Sequence, residues 1–212
     1  MHNCLDCFLN KRSSSKISAF CYAAKVGNLD VLQEMIIDSG LDFNEQNRFG
    51  RSALHYACRY GQVLAIKLLL TEGALRTDLL SNTMCSAAHD CCRFGHSSAL
   101  RLLLNHDEDL VHILNSFGSL PIHIACNVGS AECVQVLLDC GSPTAARNKK
   151  GMTALHIACE NENEEIASLL LEHAPQTALV IRDAYDSLPL HHACQTDMLL
   201  VVEHMLACLD DM

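Results

Sequence analysis

A histidine returns along this chain at nearly constant intervals: His55, His89, His123, His156 and His191 are separated by 34, 34, 33 and 35 residues. Each sits in the same phrase, such as Ser52-Ala53-Leu54-His55-Tyr56-Ala57-Cys58 or Thr153-Ala154-Leu155-His156-Ile157-Ala158-Cys159. The other copies are Ser86–Cys92, Leu120–Cys126 and Leu188–Cys194. Upstream, Ser18-Ala19-Phe20-Cys21-Tyr22-Ala23-Ala24 keeps the register with Cys21 in the His place. A self-similar period this short means that one small unit stacks on the next, because no unit can bury its own apolar surface. It excludes propeller blades, which need about 40–50 residues each. With no Trp and 5% aromatics in a chain that is 50% apolar, the core must come from Leu, Ile, Val, Ala and Cys, which suits helices.

The unit itself reads as helix, turn, helix and hairpin-like loop. Ser18, Ser52, Ser86 and Thr153 are placed to cap the first helix, and Pro121 and Pro189 fall in a first turn, where the missing N–H costs nothing. Six residues after the His position, Gly27, Gly61, Gly95 and Gly129 supply a left-handed stop, with Glu162 and Asp197 standing there in the last two units. Met84 replaces the hairpin glycine of the third unit. A second apolar phrase, Leu68-Leu69-Leu70 or Leu169-Leu170-Leu171, marks the second helix. The expectation is an all-α solenoid over 18–212, with repeats at approximately 18–46, 47–80, 81–114, 115–147, 148–182 and 183–212 behind a leader, 1–17.

These phrases resemble the ankyrin repeat, most closely at Gly50–Ala57 and Gly151–Ala158. The resemblance implies that the repeated His ties neighbouring hairpins together and that the Cys three residues later fills a small buried position. It implies a binding module for proteins, used through hairpin tips and a concave face of first helices. By position, that face would present Tyr22, Lys25, Tyr56, Arg59, Tyr60, Asp90, Arg93 and Phe94, and the tips Arg48, Phe49, Phe117 and Tyr185. Exposed aromatic and Arg side chains are what interface hot spots favour.

Catalytic and metal readings are weaker. A His and a Cys at i, i+3 five times over could offer ligands, but an active site would occur once. His2-x-Cys4-x-x-Cys7 is half of a zinc spacing with no matching second pair. No phosphate-cradling glycine loop, nucleophile elbow or carboxylate pair is recognisable, so neither an enzyme nor a cofactor is expected. Lys11-Arg12-Ser13-Ser14-Ser15-Lys16 reads as a solvated linker, with Ser13–Ser15 as possible phosphate acceptors.

Thirteen cysteines without an export signal point to free thiols in a reducing, intracellular setting. They also motivate a rival reading as a thiol redox sensor. A second rival is a regulatory portion of a larger enzyme, channel or receptor, because Leu199, Leu200 and Val202 lack a succeeding repeat. Uninterrupted apolar runs, such as Met198–Val202, are too short for membrane insertion.

A net charge of −10 argues against a nucleic-acid partner. That charge is local: up to Leu155 the acidic and basic residues balance at 14 each, whereas from His156 onward Arg182 faces 11 acidic residues. A basic partner segment is therefore one expectation for the last two repeats.

Overall fold

The computed structural model describes residues 12–37, 42–71, 75–173 and 179–210, without the side chains of residues 12–15 and 210. His2, Cys4, Cys7 and the side chains of Ser13–Ser15 lie outside that description.

Every regular element in the described residues is helical. The first helices of the six repeats are α1 (Arg12–Val26), α3 (Ala53–Arg59), α5 (Ala87–Arg93), α7 (Pro121–Val128), α9 (Ala154–Glu160) and α11 (Pro189–Gln195). The second helices are α2 (Leu29–Ile37), α4 (Val63–Thr71), α6 (Ser97–His106), α8 (Ala131–Asp139), α10 (Glu164–His173) and α12 (Leu199–Asp210). A 3-10 turn covers Glu108–His112. The chain forms two compact units, Met1–Leu110 and Val111–Met212. Within the first, α1 packs on α3 and α3 on α5, while α2, α4 and α6 form a second row; α7, α9, α11 and α8, α10, α12 repeat this in the second unit.

The core lies between the two rows of each unit. Leu32, Leu54, Ile66, Leu100 and Leu103 are fully buried in the first, and Ile122, Leu137, Leu155 and Ile166 in the second. Each such side chain contributes about 1.5–3 kcal/mol of burial. Eleven residues after the His position, Ile66, Leu100, Val134 and Ala167 are all sealed, whereas Val202 is half-buried. Leu200 is exposed for another reason: its counterparts Leu64, Ser98, Glu132 and Glu165 also face solvent.

One local expectation needs correction. Ser18 lies inside a helix rather than at its start, because α1 begins at Arg12 and runs 15 residues. Ile17 anchors that extension at 7% exposure. The positions that carry another residue in place of the repeated glycine keep the left-handed geometry. Met84, Glu162, Asp186 and Asp197 have φ of 56°, 57°, 63° and 54°, alongside Gly50 at 70° and Gly151 at 73°. At Gly151 space as well as φ calls for glycine: a Cβ there would stand 2.8 Å from the backbone nitrogen of Ala184.

The hairpins share one hydrogen-bond device. The side-chain Oδ1 of Asn47 accepts from the backbone N–H groups of Phe49 and Arg51, at 2.9 and 3.2 Å. Asn115, Asn148 and Asp183 do the same in their repeats. The preceding residue, as Gln46, Arg147 or Arg182, clamps the tip by donating to a carbonyl four residues on. Such Asx turns satisfy backbone donors that water would otherwise have to reach.

Candidate protein-binding face

The repeated histidines make this face rigid. In His55, Nδ1 accepts from the backbone N–H of Ser52 at 3.3 Å, and the ring donates from Nε2 to the carbonyl of Cys85, 3.1 Å away in the next hairpin. His123 bridges Leu120 to Ala146, and His156 bridges Thr153 to Ser187. Accepting at Nδ1 while donating at Nε2 requires the neutral ring. Burial pushes the pKa of His55, His123 and His156 below the ordinary value, which favours that state. His89 shares the local half of the pattern through Ser86. His191 keeps only that half, through Leu188, and is exposed.

On this frame the first unit displays a stair of cation–aromatic pairs. The Nζ of Lys25 lies 5.0 Å from the Tyr60 ring centroid, so repeat one reaches repeat two. One step on, the Arg59 guanidinium lies 4.3 Å over Phe94, joining repeats two and three. At the tip, Arg48 stacks on Phe49 at 4.8 Å. Exposed pairs of this kind are worth about 0.5–1 kcal/mol each, enough to restrict long side chains without hiding them. Tyr60 and Phe94 remain 43% and 41% exposed, and Tyr22 stands free at 62%. The backbone beneath is pinned as well. Gln62 Nε2 donates to the Lys25 carbonyl, and His96 Nε2 pairs with the Arg59 carbonyl.

Asp90, expected among the contact residues, is instead buried at 1% exposure. Its carboxylate lies 3.6 Å from Arg51 Nε and 3.8 Å from Arg59 Nη1, too far for hydrogen bonds, and both Oδ2 and that Nε lack a hydrogen-bond partner. Burial pushes its pKa up, against the pull of Arg51, His55, Arg59 and Arg93. Sequence reasoning missed Arg51, the residue after the hairpin glycine, because its partner stands on the following repeat. Arg93 is exposed beside this group, and Tyr56 is half-buried, its hydroxyl accepting from Asn47 Nδ2 at 2.9 Å. A cleft of about 520 Å³ opens beside the tip, lined by Ile17, Ser18 and residues 45–49.

The second unit differs in character. Phe117 and Tyr185 stand on tips at 65% and 84% exposure. The equivalents of Arg59 and Arg93 are Asn127, Glu160 and Gln195, all exposed. His192 occupies the position of Tyr56 and likewise contacts its own hairpin, with Nε2 3.0 Å from Asp183 Oδ2. Burial opposes ionisation of Asp183, but the N–H groups of Ser187 and Tyr185 and the His192 ring outweigh it and hold the pKa at about 2. The corresponding pair fails in repeat four: Ile124 offers no acceptor, and the Nδ2 of buried Asn115 has no partner.

The thiols are mostly inaccessible. Of the described cysteines, Cys21, Cys58, Cys85, Cys91, Cys92, Cys126, Cys133 and Cys159 are buried and Cys194 is exposed. Burial pushes Cys21 and Cys159 up to about 12, which suppresses the thiolate. Among the described residues no three His, Cys, Asp or Glu side chains form a group that could hold a metal. No described helix is long and apolar enough to cross a membrane.

A comparison with curated proteins finds no match. The family model for ankyrin repeats in three copies matches residues 20–113, 89–179 and 122–211. Together with the six helix pairs and the histidine bridges, that coverage places this chain in the ankyrin-repeat family.

Proposed function

We propose that the chain is a non-catalytic, intracellular protein-interaction scaffold whose principal contact surface is the first-helix face of repeats one to three. Ankyrin repeats are generally modules for protein–protein interaction. The observation that carries the reading here is the exposed stair of Lys25–Tyr60 and Arg59–Phe94, with Tyr22 beside it and the Arg48–Phe49 pair on the tip. Aromatic and Arg side chains held in place before a partner arrives lose little freedom on binding, which is the signature of an interface hot spot. Phe117 and Tyr185 extend the same use of hairpin tips into the second unit.

The test is quantitative affinity capture with the full chain and with a Tyr22→Ser, Tyr60→Ser, Phe94→Ser variant. None of these side chains faces the core, so the helical circular dichroism should be unchanged. Partners captured by the parent should be lost by the variant. Equal capture by both proteins refutes the face as the principal surface.

A second surface is supported by Glu160, Glu162, Glu164 and Glu165, all exposed at the start of the acidic region. It suits a basic partner segment. Binding there should weaken steeply with added salt and be lost on reversing Glu160 and Glu164.

A further inference from the structure

Resting on that reading of the first unit, we propose that the occupant of its first-helix face is an acidic polypeptide segment, an extended stretch of a partner protein carrying Asp and Glu between aromatic or aliphatic residues.

The charge pattern carries this. One, four and five residues past the His position, and on the tips, repeats one to three offer Lys25, Arg48, Arg59 and Arg93, with Arg51 between them. Asp90 is the one carboxylate at those positions, and it is buried. Its carboxylate is out of reach of a visitor, and as one charge against two guanidiniums it offsets only part of theirs. What it does is hold Arg51 and Arg59 from beneath, at 3.6 and 3.8 Å, without using their hydrogen-bonding capacity. Glu45 lines the neighbouring cleft together with Arg48 and Phe49. Guanidinium groups are planar forks that match carboxylates in bidentate geometry. Three of these cations, Lys25, Arg48 and Arg59, lie against aromatic rings, so carboxylates can be met without first ordering the side chains.

The alternation of cation and exposed ring also sets the kind of segment. Tyr22, Tyr60 and Phe94 offer apolar area between the charges, which an acidic chain of purely polar residues would leave unused. A nucleic acid is disfavoured, because its many phosphates would meet a molecule with a net charge of −10. A short acidic segment carries few charges and stays near the basic face. At the helix positions equivalent to Lys25, Arg59 and Arg93 the second unit has Asn127, Glu160 and Gln195; Lys149 and Lys150 put cations on one tip there, but no Lys or Arg follows them on the helix face, so the preference belongs to repeats one to three.

The experiment uses the full chain and three fluorescein-labelled probes in anisotropy titrations: a random Glu–Tyr copolymer, a random Lys–Tyr copolymer and single-stranded poly(U). The expected result is that the Glu–Tyr copolymer binds. Its affinity should fall about tenfold or more in a Lys25→Glu, Arg48→Glu variant, whose side chains do not contact Asp90. A Glu160→Lys, Glu164→Lys variant should bind it no more weakly than the parent. Poly(U) should bind less tightly than the acidic copolymer. Glu–Tyr binding that ignores the Lys25 and Arg48 reversals, or tighter binding of poly(U), overturns the inference, as does no binding of the acidic copolymer. Lys–Tyr binding that is lost in the Tyr60→Ser, Phe94→Ser variant would overturn the acidic class while leaving the face itself in place. The capture experiment above judges that face independently.

Discussion

The unpartnered Nδ2 of Asn115 should be repairable, and the repair tests whether the hairpin pairing has been understood. In repeat two, Asn47 donates from Nδ2 to the Tyr56 hydroxyl at 2.9 Å. In repeat four the same position holds Ile124, and the amide of Asn115, 3% exposed, is left with an unused donor. Ile124 borders a groove of about 260 Å³ whose walls include Phe117, His123, Asn127 and Met152, so a larger ring has room to enter. Ile124→Tyr places a hydroxyl where Tyr56 carries one. A net hydrogen bond contributes about 0.5–1.5 kcal/mol, and relieving a buried unsatisfied donor adds to the upper end of that range. Ile124→Phe supplies the ring without the acceptor, so the difference between the two variants isolates the bond. Urea unfolding of both should put Ile124→Tyr above Ile124→Phe by about 1 kcal/mol, with unchanged m-values. The reciprocal change, Tyr56→Phe, should cost about as much, because it orphans Asn47 Nδ2 in turn. If Ile124→Tyr is no more stable than Ile124→Phe while Tyr56→Phe is neutral, the pairing contributes nothing and the reasoning fails.

Stability should fall as pH drops below about 6.5, the ordinary histidine value. His55, His123 and His156 have folded pKa values below it, so the unfolded chain binds protons first and gains on acidification; urea midpoints measured from pH 8 to pH 5 should decline, and a flat profile would contradict the neutral bridges. Asp183 extends the loss: with its folded pKa held at about 2, its contribution is present above the unfolded carboxylate value and disappears as pH falls through the folded one. Glu162→Gly should stabilise the chain by up to about 1 kcal/mol, since an exposed Glu at φ 57° gives up little packing when the left-handed strain is removed; a loss of stability would show that Glu162 makes contacts that matter. In a Cys4→Ser, Cys7→Ser background, a thiol reagent should label Cys140, Cys194 and Cys208 in the folded protein and the eight buried thiols only after unfolding. Rapid labelling of Cys126 or Cys159 would revive a redox role.

The repeated elements were legible because every unit solves the same burial problem with the same residues. Ser52, Thr153 and Pro121 mark helix starts at the positions their chemistry suits, and Gly27, Gly61, Gly95 and Gly129 mark stops. The exposed aromatics were legible too, since Tyr22, Tyr60 and Phe94 fall on the helix face that must point away from the core. The start of α1 was not, because Ser18 looks like a cap until Ile17, the residue before it, is seen packed within the helix.

The amino-acid sequence by itself determined the period, the helix pairs, the histidine positions and the uneven charge, all of which depend on local spacing or on composition. Tertiary structure alone decided the fate of individual side chains whose neighbours come from another repeat. Asp90 occupies a position that is half-buried or exposed in other first-unit repeats, yet Arg51 and Arg59 of the preceding repeat close over it. There the deciding energy is a contact between stacked units, and such terms cannot be read from one unit's sequence.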